Sequence, residues 1–414
     1  MINLKHQYFR FKRVKEKIGF SKTVIFSIKY MINYLLNYLL NIFKEIEEIE
    51  DIYEHDVFKD YSFIKDTPFG SQTNIKLDRN TLNWVIPDFG MGSGGHLNLF
   101  NMIILLEKRG YICRVIIDGE TSFSSSKNAI DSIHKNFYKI NGPVFLGHEM
   151  MPPAWGTFAT SWQTAYTVRN FQSTKQKFYF IQDFEPYFYS RGSDYIFAER
   201  TYSFGFHGIT VGPWLAHKIK RYNMKVHSCF YSYNKEKYYP RKRLDSEKKR
   251  VLFYSRPVTP RRGFELGLLA IKELVKQMPD VEIIFAGWDT SNYFIDFPYK
   301  DLGVLHGEAL PDLYSQCDAA LVLSFTDLSM LPIELMACGC PVVSNRGENV
   351  EWFLNENVAI LSDPTPESLG ASLVKILSDD KGRLELRQRA LDYVNSTDWE
   401  NEVDGIIRFI EGFE

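Results

Sequence analysis

Cysteine is scarce: the chain has five in 414 residues, at Cys113, Cys229, Cys317, Cys338 and Cys340. None forms a C-x-x-C pair with matching histidines, which argues against a structural zinc site. The count is odd and several of the five sit in apolar runs, so a disulfide framework is not expected and a reducing cytoplasm is. Excess charge is absent too. A formal net charge of −2 speaks against a nucleic-acid-binding protein. There is no uninterrupted apolar run long enough to cross a bilayer, which takes about 20 residues. The nearest candidate, residues 28–43 (IKYMINYLLNYLLNIF), carries Asn33, Asn37 and Asn41, and no small-residue cleavage site of the signal-peptide kind follows it. What remains is ordinary globular composition, with 45% hydrophobic and 24% charged residues. At this length two domains of about 150–200 residues each are expected. Aromatics reach 15%; they suit either carbohydrate platforms or a large core, and the core reading is favoured.

Residues 1–60 differ from the rest. Lys5, Arg10, Lys12, Arg13, Lys15, Lys17 and Lys22 precede the 28–43 stretch, whose asparagines recur every four residues and so share one helical face. A basic segment followed by an amphipathic helix can lie on an anionic membrane surface. Packing on the protein itself, or pairing into a homodimer, is the alternative for residues 1–44.

The stretch most informative about chemistry is 321–344, LVLSFTDLSMLPIELMACGCPVVS. It reads as the end of a buried strand, a polar loop, a short helix opened by Pro332, a left-handed cap at Gly339 before Pro341, and a second strand. Strand, loop and helix in that order make a compact βαβ unit. Ligands of open α/β sheets sit at the carboxyl ends of strands, where a helix start favours anions. Glu334 lies in the first turn, either as a charge that stabilises the helix or as an acceptor for ligand hydroxyls.

Elsewhere the pattern repeats. A strand at 82–87 is followed by Gly90, Gly92, Gly94, Gly95 and His96 and by a helix expected over 97–109. The glycines leave room for a ligand, but GMGSGGH is not GxGxxG, so a dinucleotide site is a minor reading. A strand over 177–181 runs into QDFEP, where Asp183 and Glu185 are either local caps or the edge of a cleft. Residues 240–250 are charged and without apolar periodicity, and read as the hinge. A strand over 251–254 leads into Arg256, Arg261 and Arg262 before a helix over 264–278. Basic residues on such a loop fit diphosphate binding, and for Arg261 a solvated surface is the reading.

The PxE-x-MACGxPVV segment resembles the donor-site motif of GT-B glycosyltransferases of the GT4 type. The spelling Ser329-Met330-Leu331-Pro332-Ile333-Glu334 and the QDxEPxFY segment are most similar to the WsaF-type rhamnosyltransferases. The resemblance runs from about Trp84 to the C-terminus. It implies a GT-B fold: α/β, two Rossmann-like domains facing across a cleft, with a C-terminal helix crossing back to the first. Here that gives an N-terminal helical arm (1–60), an acceptor domain (61–240 with 396–414) and a donor domain (247–395). It implies retaining transfer of L-rhamnose from dTDP-L-rhamnose to a cell-surface glycan, with no cofactor and no metal. The site residues it implies are Gly94, Gly95 and His96 facing the donor diphosphate and Arg256 and Arg262 clamping it. His306 and Gly307 lie near the nucleobase, Thr326, Ser329, Met330 and Leu331 form the donor loop, and Glu334 is on the ribose. Asp183 and Glu185 are expected near the acceptor or the transferring sugar. Thr326 stands where the family's E-x7-E pair has its first Glu. The partners implied are a nucleotide sugar and a glycan acceptor, free or lipid-linked, with peripheral contact on the inner face of the membrane. A UDP-hexose transferase, a GT-B-shaped nucleotide-sugar epimerase and a non-catalytic glycan-binding module are the rival readings.

Overall fold

The computed structural model describes residues 28–29, 31–40, 56–71, 76–90, 92–244, 246–305 and 307–413. Residues 28–29 and 31–40 are helical, and a single helical turn at Val57–Asp60 is capped by the Asp56 side chain. The basic cluster of the arm lies outside the described residues.

The remainder is a pair of parallel sheets. The first carries seven strands: β1 (Thr81–Ile86), β2 (Ile112–Ile117), β3 (Val144–Leu146), β4 (Ala154–Ala159), β5 (Thr174–Ile181), β6 (His207–Val211) and β7 (Lys225–Cys229). Their order is β3-β2-β1-β4-β5-β6-β7. Helices α1 (Gly94–Lys108), α2 (Ser126–Asn136), α3 (Trp162–Asn170), α4 (Ser193–Thr201) and α5 (Pro213–Lys220) connect them. The second sheet holds β8 (Arg250–Tyr254), β9 (Glu282–Ala286), β10 (Lys300–Asp301), β11 (Ala319–Val322), β12 (Val342–Asn345) and β13 (Ile360–Ser362). Here the order is β10-β9-β8-β11-β12-β13. Its helices are α6 (Phe264–Gln277), α7 (Ala309–Gln316), α8 (Leu331–Ala337), α9 (Glu348–Glu351), α10 (Pro366–Ser378) and α11 (Asp380–Asn395). The last helix, α12 (Trp399–Glu411), follows.

Parallel sheets covered on both faces need strands that are apolar throughout. β1 and β4 meet that demand, with all six residues of each buried. In the first lobe the register aligns Trp84 with Phe158 and Phe158 with Phe178 across neighbouring strands. The rings stack at 4.2 and 4.7 Å, and such cross-strand aromatic pairs stabilise one register over its one-residue slips. Much of the aromatic content is therefore core, as the composition suggested.

The C-terminal helix packs on the first lobe, not the second. Val403, Ile406 and Ile410 are buried with Cys229 and Tyr231. Arg109 at the end of α1 pairs with Glu400 and Asp404, and Tyr111 donates to Glu411. Several sequence readings shift. The helix expected over 97–109 begins at Gly94, because the Ser93 hydroxyl turns to the His96 ring at 2.7 Å and the two glycines join the first turn. Gly339 takes φ of +75°, the left-handed cap expected of it. The supposed hinge at 240–250 is fastened to the second lobe. Arg241 pairs with Glu308 and Asp312, Arg243 with Asp318, and the Leu244 amide donates to Gln316. The charges that looked solvated have opposite charges waiting on and beside α7. The crossing between lobes is the tyrosine-rich 230–239 segment, where Tyr231, Tyr233 and Tyr238 are buried.

The helix α12 should be integral to the first lobe. Ile406→Ala empties a fully buried site and should cost about 2–5 kcal/mol, read from the urea midpoint. A loss under about 0.5 kcal/mol would show that the helix rests on the lobe without supporting it.

Candidate functional site

Both sheets reverse their order at one point, between β1 and β4 in the first and between β8 and β11 in the second. Loops leaving the carboxyl ends of these strands are where open α/β sheets place ligands. The predicted residues follow the carboxyl ends of strands: Gly94, Gly95 and His96 in the first turn of α1 after β1, Asp183 and Glu185 after β5, Arg256 and Arg262 after β8, and Thr326 to Met330 with Leu331 at the start of α8 after β11.

The loop after β11 is held rigidly from below. Asn345 at the end of β12 donates to the Ser324 carbonyl and accepts from the Ser324 amide, both at 2.9 Å, as a neighbouring strand would. Asn349 donates to the carbonyls of Ser324 and Thr326. From above, Arg262 donates to Ser324 Oγ at 3.1 Å and to the Asp327 carbonyl at 3.0 Å. Ser329 adopts φ of +61°, a strained region for a residue with a Cβ, and its amide donates to Asp327 Oδ2 at 2.6 Å.

Asp327 is the point where this loop meets the first lobe. Its amide donates to Asp183 Oδ1 at 3.0 Å, and its own Oδ2 accepts from Tyr231 Oη at 2.7 Å. Both carboxyls are buried. Burial pushes the Asp183 carboxyl above its ordinary range, with Arg261 and Arg262 opposing. Burial, then the nearby Asp183 charge, pushes Asp327 up to about 7. Thr326 is buried, and its hydroxyl faces Asp183 without a well-formed hydrogen bond.

The two carboxylates of QDFEP part company. Glu185 turns into the first lobe, accepting from the Trp162 amide at 2.9 Å and from Tyr179 Oη at 2.8 Å. It is a buried cap for α3, with burial raising its carboxyl to about 7. Only Asp183 reaches the junction, and its Oδ1 also accepts from the Phe184 amide. The glycine loop is tied in beside it, since Gln182 donates to the Gly95 carbonyl at 3.0 Å. His96 packs against Phe89 at 5.4 Å, and burial lowers its pKa to about 4. It is neutral at pH 7 and can offer an N–H but no positive charge.

The cations come from the second lobe. Arg256 is set by Thr259 Oγ1 and Tyr254 Oη. Arg261 corrects the solvated-surface reading. It is half-buried, its guanidinium lies 4.0 Å from the centroid of Phe188 in the other lobe, and burial lowers its pKa, with Arg262 and Arg256 adding to the effect against the pull of Asp183. Nothing in the spacing distinguished Arg261 from a surface arginine; the signal lay in its neighbour Arg262 and in the exposed aromatics of QDFEPYF.

Glu334 stands apart from this cluster. It is buried at the start of α8, with Tyr238 hydrogen-bonded to it and its carboxyl raised by burial to about 7. Tyr138 of the first lobe feels its charge. Leu331 is buried, while Met330 packs against the cores of both lobes. Gly307 sits in a turn with φ of +58°, and His306 lies outside the described residues. Among the described residues, no group of three or more His, Cys, Asp or Glu side chains could hold a metal ion. Sequence reasoning missed Asp327 and Tyr231; a Tyr-rich segment before a charged one was the available cue.

Two families match the chain, the N-terminal domain of WsaF over residues 124–212 and the C-terminal domain of WsaF over residues 249–374. The O-antigen biosynthesis protein RfbC of Myxococcus xanthus is 36% identical over 266 residues, covering 63% of this chain and 21% of that protein. Phosphatidyl-myo-inositol mannosyltransferase of Mycolicibacterium smegmatis is 28% identical over 183 residues, covering 42% and 46%. The chain thus spans less than half the length of these relatives. Among solved structures, sucrose-phosphate synthase of Thermosynechococcus elongatus superposes with a TM-score of 0.62 at 12% identity, over 80% of this chain and 98% of that one. Anabaena HepE, in complex with UDP and glucose, does so with 0.61 at 13%, over 80% and 99%. At these identities the likeness is one of fold.

The raised Glu334 carboxyl has a measurable consequence. A group whose folded pKa lies above its ordinary value contributes stability that is complete below about pH 4.5 and is lost as the pH climbs to about 7. Glu334→Gln, which keeps the neutral shape, should gain on the native protein across that window, by at most about 1.4 kcal/mol per pH unit. Urea titrations of both proteins from pH 5 to 7 measure the difference; parallel curves would mean that the carboxyl is not raised.

Proposed function

The chain belongs to the WsaF-type GT-B glycosyltransferases, and from that premise we propose that it transfers a sugar from a nucleoside diphosphate to a growing cell-surface glycan. The observation that carries the reading is the convergence of Arg256, Arg261 and Arg262 on the carboxyl end of β8. Three guanidiniums beside two buried carboxyls, Asp183 and Asp327, both raised by burial, leave positive charge to spare where a diphosphate would leave. The favoured donor is dTDP-L-rhamnose and the favoured outcome retention, with Glu334 accepting from a nucleoside hydroxyl and Ser329 and Met330 bordering the donor. The C1–O bond to the β-phosphate breaks, the C1–O bond to the acceptor forms on the same face, and the acceptor proton passes to a phosphate oxygen. The arginines stabilise the charge that grows on the leaving diphosphate. Glu185 serves this scheme as a support for α3, not as a base. A UDP-hexose is the alternative donor, supported by HepE, described in complex with UDP-glucose.

The arm fits a site at a membrane. In the helical residues, Leu35, Leu36, Leu39 and Leu40 are exposed, and no described helix is long and apolar enough to cross a bilayer. With the lysines and arginines that precede them in sequence, they would rest on an anionic surface, on the cytoplasmic side, near a lipid-linked acceptor.

Two measurements test these readings. Calorimetry with dTDP, UDP and NAD should find binding of a pyrimidine nucleotide and none of NAD. Glu334→Ala should weaken that binding about tenfold to a hundredfold, the loss of a hydrogen bond that leaves a nucleoside hydroxyl buried and unpaired; unchanged affinity would remove Glu334 from the donor site. For the arm, deletion of residues 1–44 should reduce co-sedimentation with anionic vesicles at low salt and leave nucleotide affinity intact. Equal sedimentation of the two forms would show that the arm serves another contact.

A further inference from the structure

Where the lobes meet, aromatic rings are exposed that the core could have taken. Tyr187 and Phe188 close the 3₁₀ turn Glu185–Phe188 after β5 and are 41% and 37% exposed. Phe325, in the loop after β11, is 42% exposed. Rings of this size gain most from burial, so leaving several in water beside a cation cluster points to something that covers them. They come from different lobes, and one arginine joins them. The Arg261 guanidinium lies over Phe188, while the Arg261 carbonyl accepts from the Phe325 amide at 2.9 Å. Buried Arg261 Nε has no hydrogen-bond partner. On the far side Lys218 fixes Tyr187, donating to its Oη at 2.8 Å and lying 4.5 Å from its ring centroid.

We propose that Phe188, Tyr187 and Phe325, with Arg261, form a subsite for one sugar ring of the acceptor glycan; this rests on the transferase reading above. The chemistry selects a sugar over other occupants. A pyranose offers one face of C–H groups, which an aromatic ring covers, and an edge of hydroxyls, which the guanidinium can satisfy. A protein partner would want a continuous apolar patch of several hundred Å², whereas here Phe188 and Tyr187 are each set beside a cation. The position also fits, since these rings share their strand ends with Asp183 and with the loop that Arg262 holds. Arg261 then has a double reach: its charge belongs to the diphosphate cluster, and its guanidinium lies 4.0 Å from the centroid of the ring that would take the acceptor.

The test is saturation-transfer NMR on the full chain with methyl α-L-rhamnoside, methyl α-D-mannoside and methyl β-D-galactoside. Dissociation constants for dTDP and UDP are measured by calorimetry on the same samples. At least one glycoside should receive saturation from the native protein. In Phe188→Ala that transfer should fall at least about fivefold while nucleotide affinity stays within about twofold. Phe325→Ala should behave alike and stands in if Phe188→Ala fails to fold. Transfer retained in either folded variant, or none from any glycoside to the native protein, overturns the subsite. Glycoside binding lost on substitution while the native protein binds no nucleotide would support the subsite and overturn the transferase reading instead.

Discussion

One hydrogen bond fastens the two lobes at the point where the chemistry is placed: the amide N–H of Asp327 donates to Asp183 Oδ1. Around it, polar groups are buried at real cost, and specific partners offset part of that cost. Asp327 Oδ2 accepts from Tyr231 and from Ser329, yet Oδ1 has no partner. Two carboxyls this close, both out of water, cannot both be charged cheaply. Arg261 and Arg262 offset part of that cost for Asp183. Removing either lobe from the other would leave the pair, and the arginines, to find water.

From that contact the rest of the site follows. Because Asp327 is pinned, the strained Ser329 backbone can persist, and with it the lead into α8. Because Arg262 spends donors on Ser324 and on the Asp327 carbonyl, its position is set before any ligand arrives. Oriented charges that need no rearrangement are what makes electrostatic stabilisation of a leaving group effective. A close approach elsewhere keeps the lobes in register. Gly212, with φ of +84°, lies under Trp352, where a Cβ would come within 2.7 Å of the indole ring, and Trp352 packs on the cores of both lobes.

The sequence made the two-sheet architecture readable because parallel strands must be apolar along their whole length and the turns between them carry Gly and Pro. The β11–α8–β12 unit could be read to within a residue or two, and so could the crossing-back of the last helix by its likeness to a known fold. What could not be read was pairing across the junction. Arg241 and Arg243 look like solvent charges until α7 and the residue before it supply Asp312 and Glu308 and the approach to β11 supplies Asp318. Glu185 and Asp183 are two residues apart, yet one turns inward to Trp162 and Tyr179 and the other outward to Asp327. A local pattern cannot tell them apart, because the difference is made by residues far away in sequence.

The central claim is that the arginine cluster and the Asp327-anchored loop together hold a nucleotide sugar for transfer. Mass spectrometry of the protein incubated with a panel of nucleotide sugars and synthetic rhamnosyl acceptors tests it most directly. The account predicts that dTDP-L-rhamnose yields free dTDP and an acceptor heavier by one deoxyhexose. Release of no nucleotide from any member of the panel, with the acceptors unchanged, would contradict it.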